Sequence, residues 1–238
     1  MESKSNDSEP RLILAWEAWD GRTDQFAYLV MLWKKDGDFY HKRHLSRDYT
    51  TDDPNLFNDA ILVPRTYYTA EPLPELTRAS QSPQDPAIYV KKHKPIRYKP
   101  VELQKESTGT PADDMLHEAQ VCEALMKSKH PNICEYFGYL RSEDGRMEGL
   151  RFKRHGKSLL DSVRDKEELD TAVVIKGISE GLKHLHSLHY AHNDVKPDNV
   201  VLDAQAGTPG WSKEADVSEP GNDFYGLEKI VQWLQTPV

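Results

Sequence analysis

The sequence contains few cysteines and, over one long stretch, no glycine. Only Cys122 and Cys134 occur among the 238 residues, and both lie in apolar surroundings. This is typical of buried thiols in a reduced intracellular compartment rather than of a disulfide framework. No glycine occurs between Asp38 and Val90, so this part of the chain has no G-x-G-x-x-G phosphate-binding loop.

Long hydrophobic runs and an excess of basic charge are also missing. The longest apolar runs are far too short to span a membrane, and no signal-peptide pattern opens the chain. The net charge is −8 and no basic stripe stands out, so nucleic acid is not an expected partner. We therefore expect an intracellular protein, in the cytoplasm or alternatively the nucleus, built as one large domain or two small ones.

The first third of the chain has the rhythm of strands and loops. Residues 1–10 form a polar tail that we expect to be disordered, and residues 11–60 form an N-terminal β-rich extension. Asp36-Gly37 between two aromatic-rich runs predicts a hairpin. Residues 46–86 contain many prolines and predict irregular structure with at most short strands. The small core of this extension is expected to contain the tryptophans Trp16, Trp19 and Trp33.

The remaining elements predict an α+β fold. A strand at 88–92 precedes a helix that ends at Met126 and is capped by Asp113 or Asp114. Two further strands, 134–140 and 147–153, give the strand-helix-strand-strand order of an antiparallel sheet carrying one helix. From Thr171 to Leu188 an amphipathic helix places an apolar stripe on the core: Val174, Ile178, Leu182 and Leu185.

The run after this helix has the residues of a phosphoryl-transfer site: His192, Asn193, Asp194, Val195, Lys196, Pro197, Asp198 and Asn199. A carboxylate, a lysine two residues later and an asparagine five residues later can converge on one transferring phosphoryl group. Asp194 would accept the proton of the attacking hydroxyl, Lys196 would neutralise charge on the γ-phosphate, and Asn199 would hold a metal ion.

This run resembles the catalytic loop of the eukaryotic-type protein kinases, H-R-D-L-x-x-x-N. Lys196-Pro197 after the aspartate is similar to the serine/threonine branch, and the resemblance is closest to kinase-like proteins of fungal type. It implies a two-lobed fold over residues 61–238, with a β-rich N-lobe at about 61–153 and a truncated helical C-lobe at about 156–238. It also implies ATP and Mg²⁺ as cofactors and a protein as substrate.

Lys91 and Glu118 resemble a second feature of the family. Residues 88–91 fit the family strand V-A-I-K, whose lysine touches the α- and β-phosphates and is oriented by a helix glutamate. Glu118 lies on an apolar stripe with Cys122 and Leu125, where a carboxylate requires a cation. Lys91 is the predicted partner, and Lys92 is the alternative one residue out of phase.

Two C-terminal runs are similar to later parts of the family pattern. Gly207-Thr208-Pro209-Gly210-Trp211 resembles the end of an activation segment, which implies that Thr208 contacts Asp194 and Lys196, although residues 212–214 match the following A-P-E poorly. Residues 223–227 resemble the start of the central helix, which implies that Asp223 caps the backbone of the catalytic loop.

The chain also departs from the family. Only four residues separate Leu202 from Gly207, so the D-F-G aspartate and most of an activation loop do not fit, and Asp203 is too close to Asn199 to be a convincing replacement. Asn193 stands where many kinases have arginine, so control by a phosphorylated activation loop is not expected. Because the sequence ends at Val238, the last helices of the large lobe are expected to be missing.

Three hypotheses follow. The first is an ATP-dependent serine/threonine protein kinase with Asp194 as catalytic base. The second is a pseudokinase that keeps the fold and acts as a binding or scaffold module. The third, a phosphotransferase acting on a small molecule, is disfavoured by Lys196-Pro197.

Overall fold

The computed structural model describes residues 8–80, 85–96, 98, 109–203 and 220–235. The chain divides into two compact units. One comprises residues 1–71 with 92–116, and the other comprises residues 72–91 with 117–238.

A four-stranded antiparallel sheet dominates the first unit. Its order is β1-β2-β3-β4, with the bounds Arg11–Asp20, Gln25–Lys35, Asp38–His44 and Ile61–Leu62. The predicted hairpin is confirmed, because Lys35 pairs with Asp38 across the turn. The two turn residues, Asp36 and Gly37, both have positive φ, 51° and 83°, as the favoured two-residue hairpin turn requires.

The tryptophans of this sheet do not share one core. Trp33 is 4% exposed and packs with Leu29, Met31 and Leu56, whereas Trp16 is half-buried. Trp19 is 52% exposed, so the predicted three-tryptophan core is wrong at this position. A register shift between Ala18 and Trp19 disturbs the pleat at the end of β1.

The described residues between 46 and 86 include a short helix that the sequence pattern does not predict. This helix, α1, spans Arg65–Tyr68 and follows Pro64. Tyr68, the last residue of this helix, is buried in a cluster with Val63 and Tyr98.

The second unit contains a three-stranded antiparallel sheet. Its order is β5-β7-β6, with β5 at Ile88–Lys91, β6 at Tyr136–Arg141 and β7 at Met147–Lys153. Helix α2, Pro111–Met126, lies between β5 and β6 in the chain, so the predicted strand-helix-strand-strand order is confirmed. The helix begins earlier than predicted, because Thr110 and Asp113 cap it reciprocally. The Asp113 carboxylate accepts a hydrogen bond from Thr110 N at 2.7 Å, and the Thr110 hydroxyl accepts one from Asp113 N at 3.2 Å.

Beyond the sheet the described chain is mainly helical. Helices α3, α4 and α5 span Leu159–Arg164, Thr171–Ser187 and Pro220–Leu234. They surround a core made of Leu159, Val174, Ile178, Leu182, Leu185, Val200, Leu202 and Ile230. A sheet part followed by a helical part confirms the α+β class. None of the helices in the described ranges is long and apolar enough to cross a membrane.

Candidate active site

The structure brings Lys91 and Glu118 together. Lys91 is the last residue of β5, and its Nζ lies 2.9 Å from Oε1 and 2.8 Å from Oε2 of Glu118 on α2. The side chains are 18% and 9% exposed, so the pair is largely withdrawn from water. Removing either partner would leave a poorly solvated charge. Lys92, the alternative lysine, is exposed and follows the end of β5.

Two side chains near this pair are kept neutral by their surroundings. Burial raises the pKa of the Cys122 thiol well above its usual value, and the charge of Glu118 adds to the effect. Burial likewise raises the pKa of Tyr136, with smaller contributions from Cys122, Glu123 and Glu118. Glu118 therefore has neutral neighbours at these two positions, and Lys91 supplies the opposite charge.

The three predicted loop residues converge around one carboxylate. Asp194 Oδ2 lies 2.7 Å from Lys196 Nζ and accepts a 2.7 Å hydrogen bond from Asn199 Nδ2. Asn199 Nδ2 also donates to the Asp194 carbonyl at 2.9 Å. A short 3₁₀ turn, Pro197–Asn199, folds the asparagine back onto the aspartate. With its NH₂ group committed to Asp194, Asn199 presents its Oδ1 on the opposite side of the amide.

A buried aspartate from α5 fixes the backbone of this loop. Asp223 has no exposed surface, and its carboxylate accepts from His192 N at 2.7 Å and from Asn193 N at 2.5 Å. His186 Nε2 on α4 lies 2.8 Å from the same carboxylate. The predicted cap by Asp223 is confirmed. The contribution of His186 was missed, because the sequence offers no local signal for a contact 37 residues away.

A glycine lets α5 approach the loop closely. A Cβ built on Gly226 would lie 2.7 Å from the carbonyl oxygen and from Cβ of Val195. Any larger residue would therefore push α5 away from the loop.

Asn193 has φ of 60°, a left-handed conformation that asparagine tolerates better than most residues. In this conformation its N–H reaches the Asp223 carboxylate.

The residues that follow the loop are bonded to the segment after β7. Leu159 N donates to Val200 O at 2.7 Å, Leu202 N to Lys157 O at 2.9 Å, and Gly156 N to Leu202 O at 2.9 Å. A Cβ on Gly156 would lie 2.6 Å from Leu202 O, so this approach requires glycine.

This pairing determines what Asp203 contacts. Its Oδ1 lies 2.8 Å from His155 Nδ1, and its Oδ2 lies 3.6 Å from Lys153 Nζ. Both partners lie at or just beyond the end of β7. The carboxylate is therefore already bonded to cationic or hydrogen-bonding groups of the protein.

The residues fit the phosphates of a nucleotide better than they fit a complete metal site. Lys91 and Lys196 supply positive charge, and Asn199 supplies one amide oxygen of the kind Mg²⁺ binds. No group of three histidine, cysteine, aspartate or glutamate side chains in the described part of the chain is arranged to hold a metal ion. The predicted contacts of Thr208 and the runs 207–211 and 212–214 lie outside the described residues.

Comparisons with known proteins identify the family of this chain. A family model described as a protein kinase domain matches residues 86–215, more than half of the chain. MAP kinase kinase kinase wis4 of Schizosaccharomyces pombe is 32% identical over 149 residues, 59% of this chain. Serine/threonine-protein kinase SSK22 of Saccharomyces cerevisiae is 36% identical over 88 residues, 36% of this chain, and serine/threonine-protein kinase TAO1-A of Xenopus laevis is 34% identical over 110 residues, 43% of this chain.

The chain therefore belongs to the protein kinase family, on its serine/threonine side and with fungal relatives among those it resembles. It spans only a small part of these relatives, 10% of wis4, 6% of SSK22 and 10% of TAO1-A. Protein kinase membership implies the use of ATP and, typically, Mg²⁺.

Proposed function

We propose that this chain binds ATP and transfers the γ-phosphate to a serine or threonine hydroxyl of a protein substrate. The observation that carries the proposal is the cluster of Lys196 and Asn199 around the Asp194 carboxylate, at contact distances of 2.7 Å. A carboxylate held by neighbours of this kind is oriented before substrate arrives, which lowers the cost of reaching the reactive geometry.

Each side chain has a distinct role in this proposal. Asp194 accepts the proton of the attacking hydroxyl, and Lys196 moves from Asp194 toward the γ-phosphate to neutralise its charge. Lys91 binds the α- and β-phosphates, and Glu118 orients it. Asn199 Oδ1 would hold Mg²⁺, which would supply charge neutralisation at the phosphates.

A second candidate function is a pseudokinase that binds nucleotide and serves as a binding or scaffold module without transferring phosphate. The engagement of Asp203 with His155 at 2.8 Å favours it, because this aspartate is then not available as the second metal ligand. Asn199 is left as the only proposed metal-binding side chain. A phosphotransferase acting on a small molecule is less well supported, because Lys196-Pro197 and the relatives named above point to protein substrates.

The remaining parts of the proposal concern organisation and location. We propose that residues 11–60 are an N-terminal extension and that the kinase-like domain covers 61–238, with an N-lobe to about residue 153 and a C-lobe from about 156. Cys122 and Cys134 are not joined in a disulfide, and this supports an intracellular, cytoplasmic location. The expected partners are ATP and a protein substrate, without nucleic acid.

The nucleotide-binding part is tested by replacing the lysine of the ion pair. Lys91→Met keeps the length of the side chain but removes its charge, so ATP affinity should fall about tenfold or more, as expected for the loss of a charge-assisted phosphate contact. Titration with ATP measures this, and Lys92→Met is the matched control that should retain affinity. Equal affinity of wild type and Lys91→Met would overturn the assignment of the phosphate site.

A further inference from the structure

A short segment before β5 is attached to the free edge of the sheet in the second unit. Tyr139 N donates to Thr77 O, and Ala79 N donates to Tyr139 O, both at 2.9 Å. Because β7 occupies the other side of β6, this parallel bridge around Arg78 lies at the edge of the sheet opposite β5. Arg151 of β7 also donates to the Ser80 carbonyl.

The sheet is shaped to receive this segment. Gly138 has φ of +114°, and a Cβ built on it would lie 2.5 Å from Thr77 O and 2.7 Å from Ala79 N. A side chain at this position would displace the segment. The contact thus depends on a glycine in β6. Its backbone hydrogen bonds join parts of the chain about 60 residues apart and close a long loop.

The same segment is bonded to α2 through one carboxylate. Glu123 Oε1 accepts from Thr77 N at 2.6 Å, and Glu123 Oε2 accepts from the Thr77 hydroxyl at 2.9 Å. Both carboxylate oxygens are therefore bonded to one residue that is 46 positions away in the sequence. Charge-assisted bonds of this two-point kind fix orientation as well as distance.

Helix α2 is consequently held at both edges of one sheet. Glu118 binds Lys91 on β5 at one edge, and Glu123 binds Thr77 at the other edge. Five residues of helix separate the two glutamates by about 7.5 Å along the axis and about 140° around it. Rotation or sliding of α2 that breaks the first contact also strains the second.

We propose that Thr77 and Glu123 are positioning residues that hold α2 so that Glu118 keeps Lys91 oriented toward the nucleotide phosphates. We refer to the contacts of residues 77–80 with β6, β7 and Glu123 as the edge clamp. The inference rests on the proposed nucleotide site and adds a built-in device that sets the helix without a phosphorylated activation loop.

The test uses the full chain and graded variants of Glu123. Glu123→Ala removes both bonds and should weaken ATP binding about 5-fold, at the lower end of the usual range for coupling between sites. Glu123→Gln keeps one acceptor oxygen and a donor for the Thr77 hydroxyl, so it should restore most of the affinity. Glu228→Ala, at an exposed position on α5, is the matched control and should bind ATP as wild type does.

The positioning role is separated from a general structural role by repeating the substitution in a Lys91→Met background. Because the edge clamp acts through Lys91, Glu123→Ala should cause no further loss of ATP affinity there. A 5-fold loss in both backgrounds, or no loss in the wild-type background, would overturn the inference.

Hydrogen exchange of residues 117–126 without nucleotide provides the reading that is independent of ATP. Exchange should be faster in Glu123→Ala than in wild type and in Glu228→Ala, and unchanged exchange would overturn the edge clamp. If wild type does not bind ATP, or Lys91→Met does not weaken binding, the proposed function fails instead, and the exchange result still decides whether Glu123 holds α2.

Discussion

The loop of residues 192–199 and the run of residues 200–203 that follows it differ in what their acidic side chains contact. Asp194 lies among Lys196 and Asn199 of its own loop. Asp203 is bonded to His155 and lies near Lys153, at the end of β7. The side chain of the first aspartate contacts other proposed catalytic residues, whereas the second joins two segments of the protein.

The two regions are also held by different elements. The loop backbone is fixed by Asp223 of α5, while the following run is fixed by backbone bonds to residues 156–159. Among the described residues, the contacts that hold the loop backbone are thus separate from those that hold the run after it. A chain without the D-F-G segment, as the sequence predicts, would lack a metal ligand but would keep the proposed catalytic base.

The largest effect is expected at Asp194. Asp194→Asn keeps the size of the side chain and most of its hydrogen bonding but removes the base, so the rate of phosphate transfer should fall about 10²–10⁴-fold. ATP affinity should change little, because Asp194 is proposed to face the acceptor hydroxyl. The measurement is transfer of labelled phosphate to a protein substrate, with ATP titration as the control.

Transfer that survives Asp194→Asn unchanged would remove this loop from the mechanism. No transfer by either form, with ATP binding intact, would instead select the pseudokinase alternative.

A smaller effect is expected when the anchor of the loop is removed. Asp223→Ala leaves the buried N–H groups of His192 and Asn193 without their acceptor, so the free energy of unfolding should fall by about 3 kcal/mol. Urea denaturation measures this, and Glu228→Ala at an exposed position on α5 is the control. A loss below about 0.5 kcal/mol would mean that the loop is held by other contacts.

The smallest effect is expected at Asp203. Asp203→Asn weakens the partly exposed contacts with His155 and Lys153, so stability should fall by about 1 kcal/mol or less. ATP affinity in the presence of Mg²⁺ should not change. Asp198→Asn, an exposed neighbour in the loop, is the control. A specific loss of Mg²⁺-dependent ATP affinity in Asp203→Asn would make Asp203 a metal ligand and erase the contrast between the two regions.

The parts of the site that were predictable from sequence are those whose sequence pattern lies within a single helix, strand or loop. Helix α4, which the apolar stripe predicts, ends shortly before the loop. Asp194, Lys196 and Asn199 all lie within this one short loop. The sequence places Glu118 on an apolar helix face, where a carboxylate requires a cation, and it places Lys91 at the end of a strand as a candidate cation. Their roles in binding remain predictions.

The parts that were not predictable depend on contacts distant in sequence or on local geometry. The sequence offers no sign that residues 200–202 pair with 156–159, and this pairing sends Asp203 to His155. The sequence likewise gives no sign of the register shift in β1 that precedes the exposed Trp19. The boundary predicted at residue 60 also remains a prediction, although β4, Ile61–Leu62, pairs with β3 in the N-terminal sheet.

The most direct test of the account is a thermal shift with ATP in the presence and absence of Mg²⁺. ATP alone should raise Tm through Lys91, and Mg²⁺ should add less than about 1 °C, because a single amide oxygen of Asn199 binds the ion weakly. A further increase of about 4 °C or more with Mg²⁺ would contradict the account, since it would require a metal-binding carboxylate in addition to Asn199.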